Sequence, residues 1–398
     1  MKRVLFIVDK YLKGVHPNSL CIESIIKCID KSVYTIDLLS IEEEFSEIKK
    51  EGVYTVFNIR NYGCFKELLR KVKKTLYMPL GSKNLSRKVL KSFSELNSIH
   101  AYDAVIAVIN PVESAETLYM IKQQYPSIRA IIYEIDPASN RYKNPSNFFQ
   151  KYWKRKSQQW ELKVYNLADA IIHMQSHKIH FSDPMYSIFT YKTFYLDIPA
   201  FRISPFFQSK LHRPSQRVKL IYGGAFYPKL REPYFMINVL KTLSTVQSIS
   251  CDIYTGQSMR SELINMCEGN SSININNSLS QDLFNKKIQE CDILLSVGNN
   301  DSDFLPSKTL SYMGTGKPII HFYRDNDDVS LSYFSKYRRV LCVSEKDSIS
   351  VIVEKISSFI DVVFDGSEYT SFEVLNLLSQ NTPEFTANEL FNKIIFKN

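Results

Sequence analysis

Residues 293–322 read ILLSVGNNDSDFLPSKTLSYMGTGKPIIHF, and the order of patterns in this stretch decides the fold class. Ile293–Val297 is an apolar run without polar alternation, which is typical of a strand buried on both faces. A polar loop and a short helix follow, and we expect the helix to end at Gly314 or Gly316. A second buried strand is predicted at Pro318–Phe322. This order predicts two parallel strands that are joined by a helical crossover.

The same alternation of buried strands and helical patterns runs through the whole chain. In the first half, the predicted strands are Val4–Val8, Tyr34–Leu39, Val53–Ile59, Ala104–Ile109, Ala130–Ile135 and, as the last one, Ala170–Met174. In the second half, the other predicted strands are Val218–Tyr222, Cys251–Tyr254, Ile273–Ile275 and Val340–Val343. The pattern predicts an α/β protein with two Rossmann-like, doubly wound parallel-sheet domains that face a central cleft.

Domain boundaries are predicted where this alternation stops. Residues 201–216 have no clear period and contain two prolines, so we expect a linker there. We therefore place an N-terminal domain at 1–200, a second domain at 217–380, and a C-terminal helix at 381–398 that could pack back on the first domain. No apolar run approaches the roughly 20 residues of a membrane helix, and no export signal is evident, so we expect a cytoplasmic protein.

Positive charge is concentrated in the first half of the chain. The net charge is +9, and residues 1–200 hold 29 basic and 20 acidic residues, whereas residues 201–398 hold 21 of each. Two clusters, 60–91 and 151–156, carry much of the excess, and apolar or aromatic residues are interleaved with their lysines and arginines. This pattern favours an anionic membrane surface over nucleic acid as the partner, with a solvated helix face as the alternative.

Several common motifs are absent or incomplete. The chain has no GxGxxG fingerprint, and Pro318 follows Lys317 where a P-loop needs Ser or Thr. His173, His177 and His180 have the spacing of metal ligands, but no carboxylate or cysteine joins them locally. We therefore predict neither a metal site nor a cofactor.

Two segments have the composition of anion sites. A helix that begins near Ser307 offers free backbone N–H groups, Ser307 can cap it, and Lys308 adds a full positive charge. In the second segment, Gly223 and Gly224 follow a strand and let the backbone approach an anion. Arg231 lies near the next helix start and can clamp a diphosphate with two hydrogen bonds. Each pattern alone also fits an ordinary capped helix or turn.

Together with a strand end in which Tyr254 and Gly256 could face a nucleobase, these segments resemble a known family. PSKTLSYMGTGKPII (306–320) and GGAFYPKLREP (223–233) are similar to motifs in the C-terminal domain of GT-B nucleotide-sugar-dependent glycosyltransferases. The likeness is to the large retaining group that builds bacterial polysaccharides. WELKVYNLADAIIHM (160–174) resembles a segment of the same group, with matches at Glu161, Ala168 and Asp169.

The resemblance implies a set of site residues. The implied donor-binding residues are Gly223, Gly224, Arg231, Tyr254, Gly256, Asp303, Pro306, Ser307, Lys308 and Ser311. The implied acceptor-side residues are Gly14, His16 and Asp136. Of these, Asp136 is the catalytic acid candidate, and Arg231 and Lys308 are expected to stabilise the departing diphosphate.

The sequence departs from the family at two donor-side positions, Ser311 and Ala225, and near the acid candidate. Ser311 stands where the group usually has the glutamate that binds the donor ribose, with Asp303 at the partner acidic position. Ala225 replaces a common arginine. The group often has a histidine near the acid, and we expect none near Asp136 in this chain. Asp136-Pro137 also fits a simple turn.

The resemblance thus implies a glycosyltransferase of bacterial surface-polysaccharide assembly. It would transfer a sugar from a nucleotide-sugar donor to a glycan or a polyprenyl-diphosphate-linked acceptor, at the inner face of the plasma membrane. Ser311 favours one alternative, a non-catalytic homologue that acts as a binding or scaffolding partner. A sugar-nucleotide epimerase of the same architecture is a third possibility.

Overall fold

The chain forms two compact α/β units. The computed structural model describes residues 1–12, 17–42, 51–57, 81–109, 111–139, 145, 147–300, 305–306 and 308–396. The first unit comprises Met1–Pro199 and Gln380–Asn398, and the second comprises Ala200–Ser379.

The first unit is built on a seven-stranded parallel sheet. Its strands are β1 (Lys2–Asp9), β2 (Tyr34–Glu42), β3 (Val53–Phe57), β4 (Ala104–Ile109), β5 (Arg129–Glu134), β6 (Ala170–Met174) and β7 (Thr193–Leu196). Their order in the sheet is β3-β2-β1-β4-β5-β6-β7, so the order reverses between β1 and β4. Ligands of doubly wound sheets bind at the carboxyl ends of strands near such a reversal.

Helices cover both faces of this sheet. They are α1 (Pro17–Ile26), α2 (Lys83–His100), α3 (Val112–Gln124) and α4 (Phe148–Leu167). Leu5 and Ile7 of β1 pack with the apolar sides of α2, α3 and α4, whereas Phe6 packs on the opposite face with α1. On that opposite face, Phe391 of the C-terminal helical segment (Pro383–Asn388 and Glu389–Ile395) lies 6.5 Å from Phe6, ring centre to ring centre.

The prediction that Ala170–Met174 is the last strand of this sheet was wrong. Thr193–Leu196 forms β7, which pairs in parallel with β6. A 3₁₀ helix, Pro184–Lys192, connects the two strands together with shorter 3₁₀ turns. Because β7 has four residues at a sheet edge, three of them only partly buried, it lacks the fully apolar run that identifies the central strands.

The second unit repeats the architecture with six parallel strands. They are β8 (Val218–Gly223), β9 (Ile249–Thr255), β10 (Ile273–Asn277), β11 (Ile293–Val297), β12 (Ile319–Tyr323) and β13 (Val340–Ser344). Their order is β10-β9-β8-β11-β12-β13, which reverses between β8 and β11. The helices are α5 (Tyr234–Val246), α6 (Arg260–Cys267), α7 (Gln281–Glu290), α8 (Lys308–Met313), α9 (Val329–Phe334), α10 (Ile349–Val363) and α11 (Ser371–Leu377).

Residues 201–216 lie against the second unit. The Ser204 N–H donates to the Gly314 carbonyl (2.8 Å), and the Gln208 N–H donates to the Thr315 carbonyl (2.8 Å). Phe201 is buried in the core of that unit. The segment without sequence periodicity is therefore held by backbone hydrogen bonds and by an aromatic anchor.

Candidate active site

The reversal of strand order in the second sheet places two loops side by side. Gly223 ends β8 and Gly224 follows it, while Gly298 and Asn299 follow β11, the neighbouring strand. Because β8 and β11 are parallel, both loops leave at the same edge of the sheet. The glycine-plus-cation segment identified in the sequence therefore lies at the reversal.

Arg231 is fixed between these two loops. Its Nε donates to Oδ1 of Asn299 (3.0 Å), and its Nη1 donates to the Ala225 carbonyl (3.5 Å). The loops are joined a second time, because Nδ2 of Asn300 donates to the Lys229 carbonyl (2.8 Å). Within the described part of the chain, no carboxylate forms an ion pair with Arg231. Its positive charge is thus held in a fixed orientation at the sheet edge.

The two glycines have structural roles that the sequence did not reveal. A Cβ on Gly223 would lie 2.0 Å from Cζ of Phe284, so only glycine lets the α7 aromatic ring pack against the end of β8. The Gly224 N–H donates to the Tyr254 carbonyl (3.0 Å). This N–H is therefore engaged within the sheet edge, and the expected approach of an anion to it is not open in this structure.

Phe284 also supports the second cation. Lys308 is the first residue of α8, and its Nζ lies 4.4 Å from the centre of the Phe284 ring. Burial lowers the pKa of Lys308, and no described carboxylate pairs with it. A partly desolvated cation gains more from a phosphate than a fully hydrated one does, because its attraction is less screened. Pro306 is buried just before it.

The strand end that we predicted to face a nucleobase is partly open to solvent. Tyr254 at the end of β9 meets Phe284 edge-to-face, with 6.0 Å between ring centres. A Cβ on Gly256 would have no atom of the described residues within 4 Å beyond its chain neighbours, so the strand end borders free space. Ser311 is exposed, and its hydroxyl donates to the Lys308 carbonyl (3.1 Å) of its own helix.

In the first unit, Asp136 has a partner that sequence inspection missed. Nε2 of His177 lies 3.8 Å from Oδ1 of Asp136. The two residues follow β5 and β6, which are adjacent parallel strands, so the fold brings together residues 41 positions apart. The Asp136 side chain keeps 39% of its exposure and His177 keeps 3%. The expectation that Asp136 has no histidine nearby was wrong.

A buried polar layer lies beneath this pair. Glu134 accepts a hydrogen bond from Tyr165, and its Oε2 is 3.0 Å from Nδ1 of His173. The His173 ring stacks on Phe181 at 3.4 Å, and burial lowers its pKa well below the usual value, so it is neutral. His173 is thus a core residue. Among the described residues, no group of three or more His, Cys, Asp or Glu side chains is arranged to hold a metal ion.

Some predicted site residues lie outside the described residues. These are Gly14, His16, Asp303 and Ser307. For the basic cluster at 60–91, the structure describes only the part from residue 81. There, Leu85, Val89 and Phe93 of α2 are buried in the core of the first unit. The apolar side of this helix is therefore covered by protein.

Known proteins resemble this chain in structure rather than in sequence. No family model matches the chain, and no curated protein matches it. Solved structures do match over nearly the full length. The lipopolysaccharide outer core galactosyltransferase WaaB is 13% identical, with a TM-score of 0.62 over 98% of this chain and 99% of that one. The sucrose-phosphate synthase of Thermosynechococcus elongatus is 10% identical, with a TM-score of 0.67 over 98% of each chain.

A glycosyltransferase of Rickettsia africae is also similar in structure to this chain, at 12% identity and a TM-score of 0.62 over 100% of this chain and 99% of that one. The chain has the GT-B fold. In the segment 160–174, Asp169 has a structural role: its Oδ2 accepts from the Ala130 N–H and pairs with Lys122, both at 2.7 Å. Glu161 of the same segment supports the turn that carries Asp136.

Proposed function

We propose that this GT-B chain is a glycosyltransferase that uses a nucleotide-sugar donor. The proposal is carried by the carboxyl edge of the second sheet, where Arg231 and Lys308 converge near the end of β8 without a described carboxylate to neutralise them. Such a pair suits a diphosphate, because each charge-assisted hydrogen bond to a phosphate oxygen is roughly twice as strong as a neutral one.

The proposed chemistry is departure of a nucleoside diphosphate from the sugar. When the glycosidic bond breaks, negative charge grows on the leaving diphosphate, and fixed cations lower the barrier without rearranging. Arg231 is held in place by Asn299, and Lys308 by Phe284, so both are preorganised. The free space at Gly256 would receive the nucleoside, and the exposed Ser311 hydroxyl would contact the ribose.

The acceptor side is assigned to the first unit. Asp136 is partly exposed and close to His177, so the pair could accept the proton of an acceptor hydroxyl. We propose a glycan or a polyprenyl-diphosphate-linked glycan as the acceptor, in bacterial surface-polysaccharide assembly, with retention of anomeric configuration.

The activity is tested with a panel of nucleotide sugars, each followed by NMR for release of the free nucleotide and sugar. The expected result is slow hydrolysis of one donor by the wild type and none by Arg231→Ala. Lys355→Ala is the matched control, since Lys355 is a surface cation of the same unit, paired with Asp347 at 2.7 Å. Absence of binding and hydrolysis for every donor would refute the proposal.

The non-catalytic alternative rests on Ser311, whose hydroxyl is occupied by its own helix. It predicts that wild-type protein binds a nucleotide sugar but never turns it over, and that Ser311→Glu gains turnover. Hydrolysis or transfer by the wild type would exclude this alternative.

We further propose that the first unit binds an anionic membrane surface through the start of α4. Phe148 and Phe149 are 78% and 73% exposed there, next to the cations at 151–156. A cavity of about 420 Å³ opens beside them and is lined by Pro145, Lys151, Lys154, Arg155, Gln158, Gln159 and Met185. Among the described helices, none is long and apolar enough to cross a bilayer.

The neighbouring 3₁₀ helix extends the same surface. Because a 3₁₀ helix has three residues per turn, Met185, Ile188 and Tyr191 share one face. Met185 lines the cavity, and Ile188 and Tyr191 are exposed. Exposed aromatic and aliphatic groups around a cation-lined cavity fit the interface of an anionic leaflet.

Vesicle sedimentation tests this surface. We expect binding to phosphatidylcholine vesicles only when phosphatidylglycerol is included, and loss of binding in a Phe148→Ser, Phe149→Ser variant. Phe372→Ser is the matched control, because Phe372 is a similarly exposed phenylalanine of the second unit. Equal sedimentation of the double variant and the wild type would contradict the assignment.

A further inference from the structure

The turn after β5 is held from below by two buried carboxyl groups. This turn, residues 135–139, carries Asp136 at the carboxyl edge of the first sheet. The Ser139 N–H donates to Oε1 of Glu161 (2.7 Å), and the Ala138 N–H interacts electrostatically with the Glu134 carboxyl. The Ser139 N–H of the turn therefore depends on a side chain for its partner.

Each carboxyl group is in turn fixed by a tyrosine. The Tyr165 hydroxyl donates to Glu134, and the Tyr186 hydroxyl donates to Oε2 of Glu161 (2.5 Å). Both carboxyl side chains have no exposed surface. Both oxygens of Glu161 accept hydrogen bonds, whereas Oε1 of Glu134 has no partner among the described residues. Glu161 is thus held in a defined geometry, and neither carboxyl group is accessible to a substrate.

The groups around Glu134 and Glu161 limit the negative charge that these two carboxyl groups can carry. Glu134 faces Tyr165, His173, His177 and Asp136, and Glu161 faces Glu134, Tyr186, Ser139 and, through Ser139, His180. Burial raises the pKa of both glutamates, and the charge of Glu134 raises that of Glu161 further. Near neutral pH the layer therefore carries at most one of its two carboxylate charges.

The pair of the partly exposed Asp136 and the buried His177 lies directly on this layer. His177 is close enough to Glu134 for its charge to affect that carboxyl, and it is 3.8 Å from Asp136. We propose that Glu161 and Glu134 are positioning residues that hold the 135–139 turn, and with it the Asp136–His177 pair, in the geometry required for sugar transfer. The catalytic part of this inference rests on the proposed glycosyltransferase function.

Two substitutions of Glu161 separate its geometric role from its charge. Glu161→Gln keeps an acceptor for the Ser139 N–H, whereas Glu161→Leu removes it. We expect Glu161→Leu to speed amide hydrogen exchange in the 135–139 turn by about 3–10-fold, the equivalent of one lost hydrogen bond. Glu161→Gln should leave that exchange unchanged. Tyr186→Phe, which removes one hydrogen bond to Glu161, is the milder variant if Glu161→Leu does not fold.

Activity provides the second readout. A displaced catalytic pair should lower kcat on the order of 100-fold in Glu161→Leu. The dissociation constant of the donor should stay unchanged, because the proposed donor site is built from the second unit. In Glu161→Gln, which carries no ionisable group at this position, the pH profile of kcat should lose one ionisation.

The outcomes are distinguishable from one another. Unchanged exchange in a folded Glu161→Leu or Tyr186→Phe protein would overturn the holding role. Faster exchange with unchanged kcat would overturn the catalytic consequence. If the wild type transfers no sugar from any donor, the proposed function fails, and the exchange measurement still decides whether the glutamates hold the turn.

Discussion

The buried Glu161 makes the stability of the first unit depend on pH in a predictable direction. Its side chain has no exposed surface, and burial raises its pKa from 4.5 to about 8. Between these two values, the unfolded chain has released the proton and the folded chain retains it. The free energy of unfolding must therefore fall as pH rises through this window, since the folded state binds more protons.

The size of the effect follows from one proton. A single retained proton changes the free energy of unfolding by about 1.4 kcal/mol per pH unit. From about pH 5.5 to about pH 7.5, Glu161 thus lowers wild-type stability by about 2.7 kcal/mol. Glu161→Gln lacks this proton, so its stability relative to wild type should rise by the same amount over that interval. Glu134 and His173 are present in both proteins, and the figure of about 2.7 kcal/mol counts only the Glu161 proton, because Glu134 and Glu161 are coupled.

The chain offers a local probe for the measurement. Its two tryptophans, Trp153 and Trp160, both lie on α4, the helix that carries Glu161. Urea unfolding followed by tryptophan fluorescence therefore reports the first unit. Glu95→Gln is the control, because Glu95 is an exposed glutamate of the same unit. A Glu161→Gln curve that runs parallel to the wild type across both pH values would refute the reasoning.

Two further predictions concern the second unit. Gly223→Ala places a Cβ 2.0 Å from the Phe284 ring and should destabilise that unit by about 1–3 kcal/mol. Thermal unfolding measures this loss, and an unchanged melting temperature would show that the ring moves freely. Asn299→Ala removes the hydrogen bond that orients Arg231 and should weaken donor binding about tenfold in a calorimetric titration with little loss of stability, and unchanged affinity would show that the orientation is not needed.

The fold was largely predictable because the central strands are buried on both faces. Ala104–Ile109 and Ile293–Val297 are uninterrupted apolar runs that end at polar turns, and the structure has the same bounds. Such runs need no knowledge of tertiary contacts. The edge strand Thr193–Leu196 could not be identified in this way, since it is short, partly exposed and preceded by an aromatic-rich 3₁₀ helix.

Only those residues of the candidate site that belong to a short sequence motif could be predicted. Arg231 follows two glycines within eight residues, a spacing that can be read from the sequence. Phe284 and Asn299 reach the same place from other elements of the sheet edge and carry no motif. His177 could have been assigned to Asp136 once the order of β5 and β6 was assumed, because the ends of adjacent parallel strands meet.

Calorimetric titration of the wild type with nucleotide sugars and free nucleoside diphosphates tests the central claim most directly. The account predicts that one nucleotide series binds and that Arg231→Ala and Lys308→Ala each weaken binding by about 1.5–3 kcal/mol, the value of a hydrogen bond to a charged group. Lys355→Ala should bind as tightly as the wild type. Wild-type affinity in both site variants, or no binding of any nucleotide, would contradict the account.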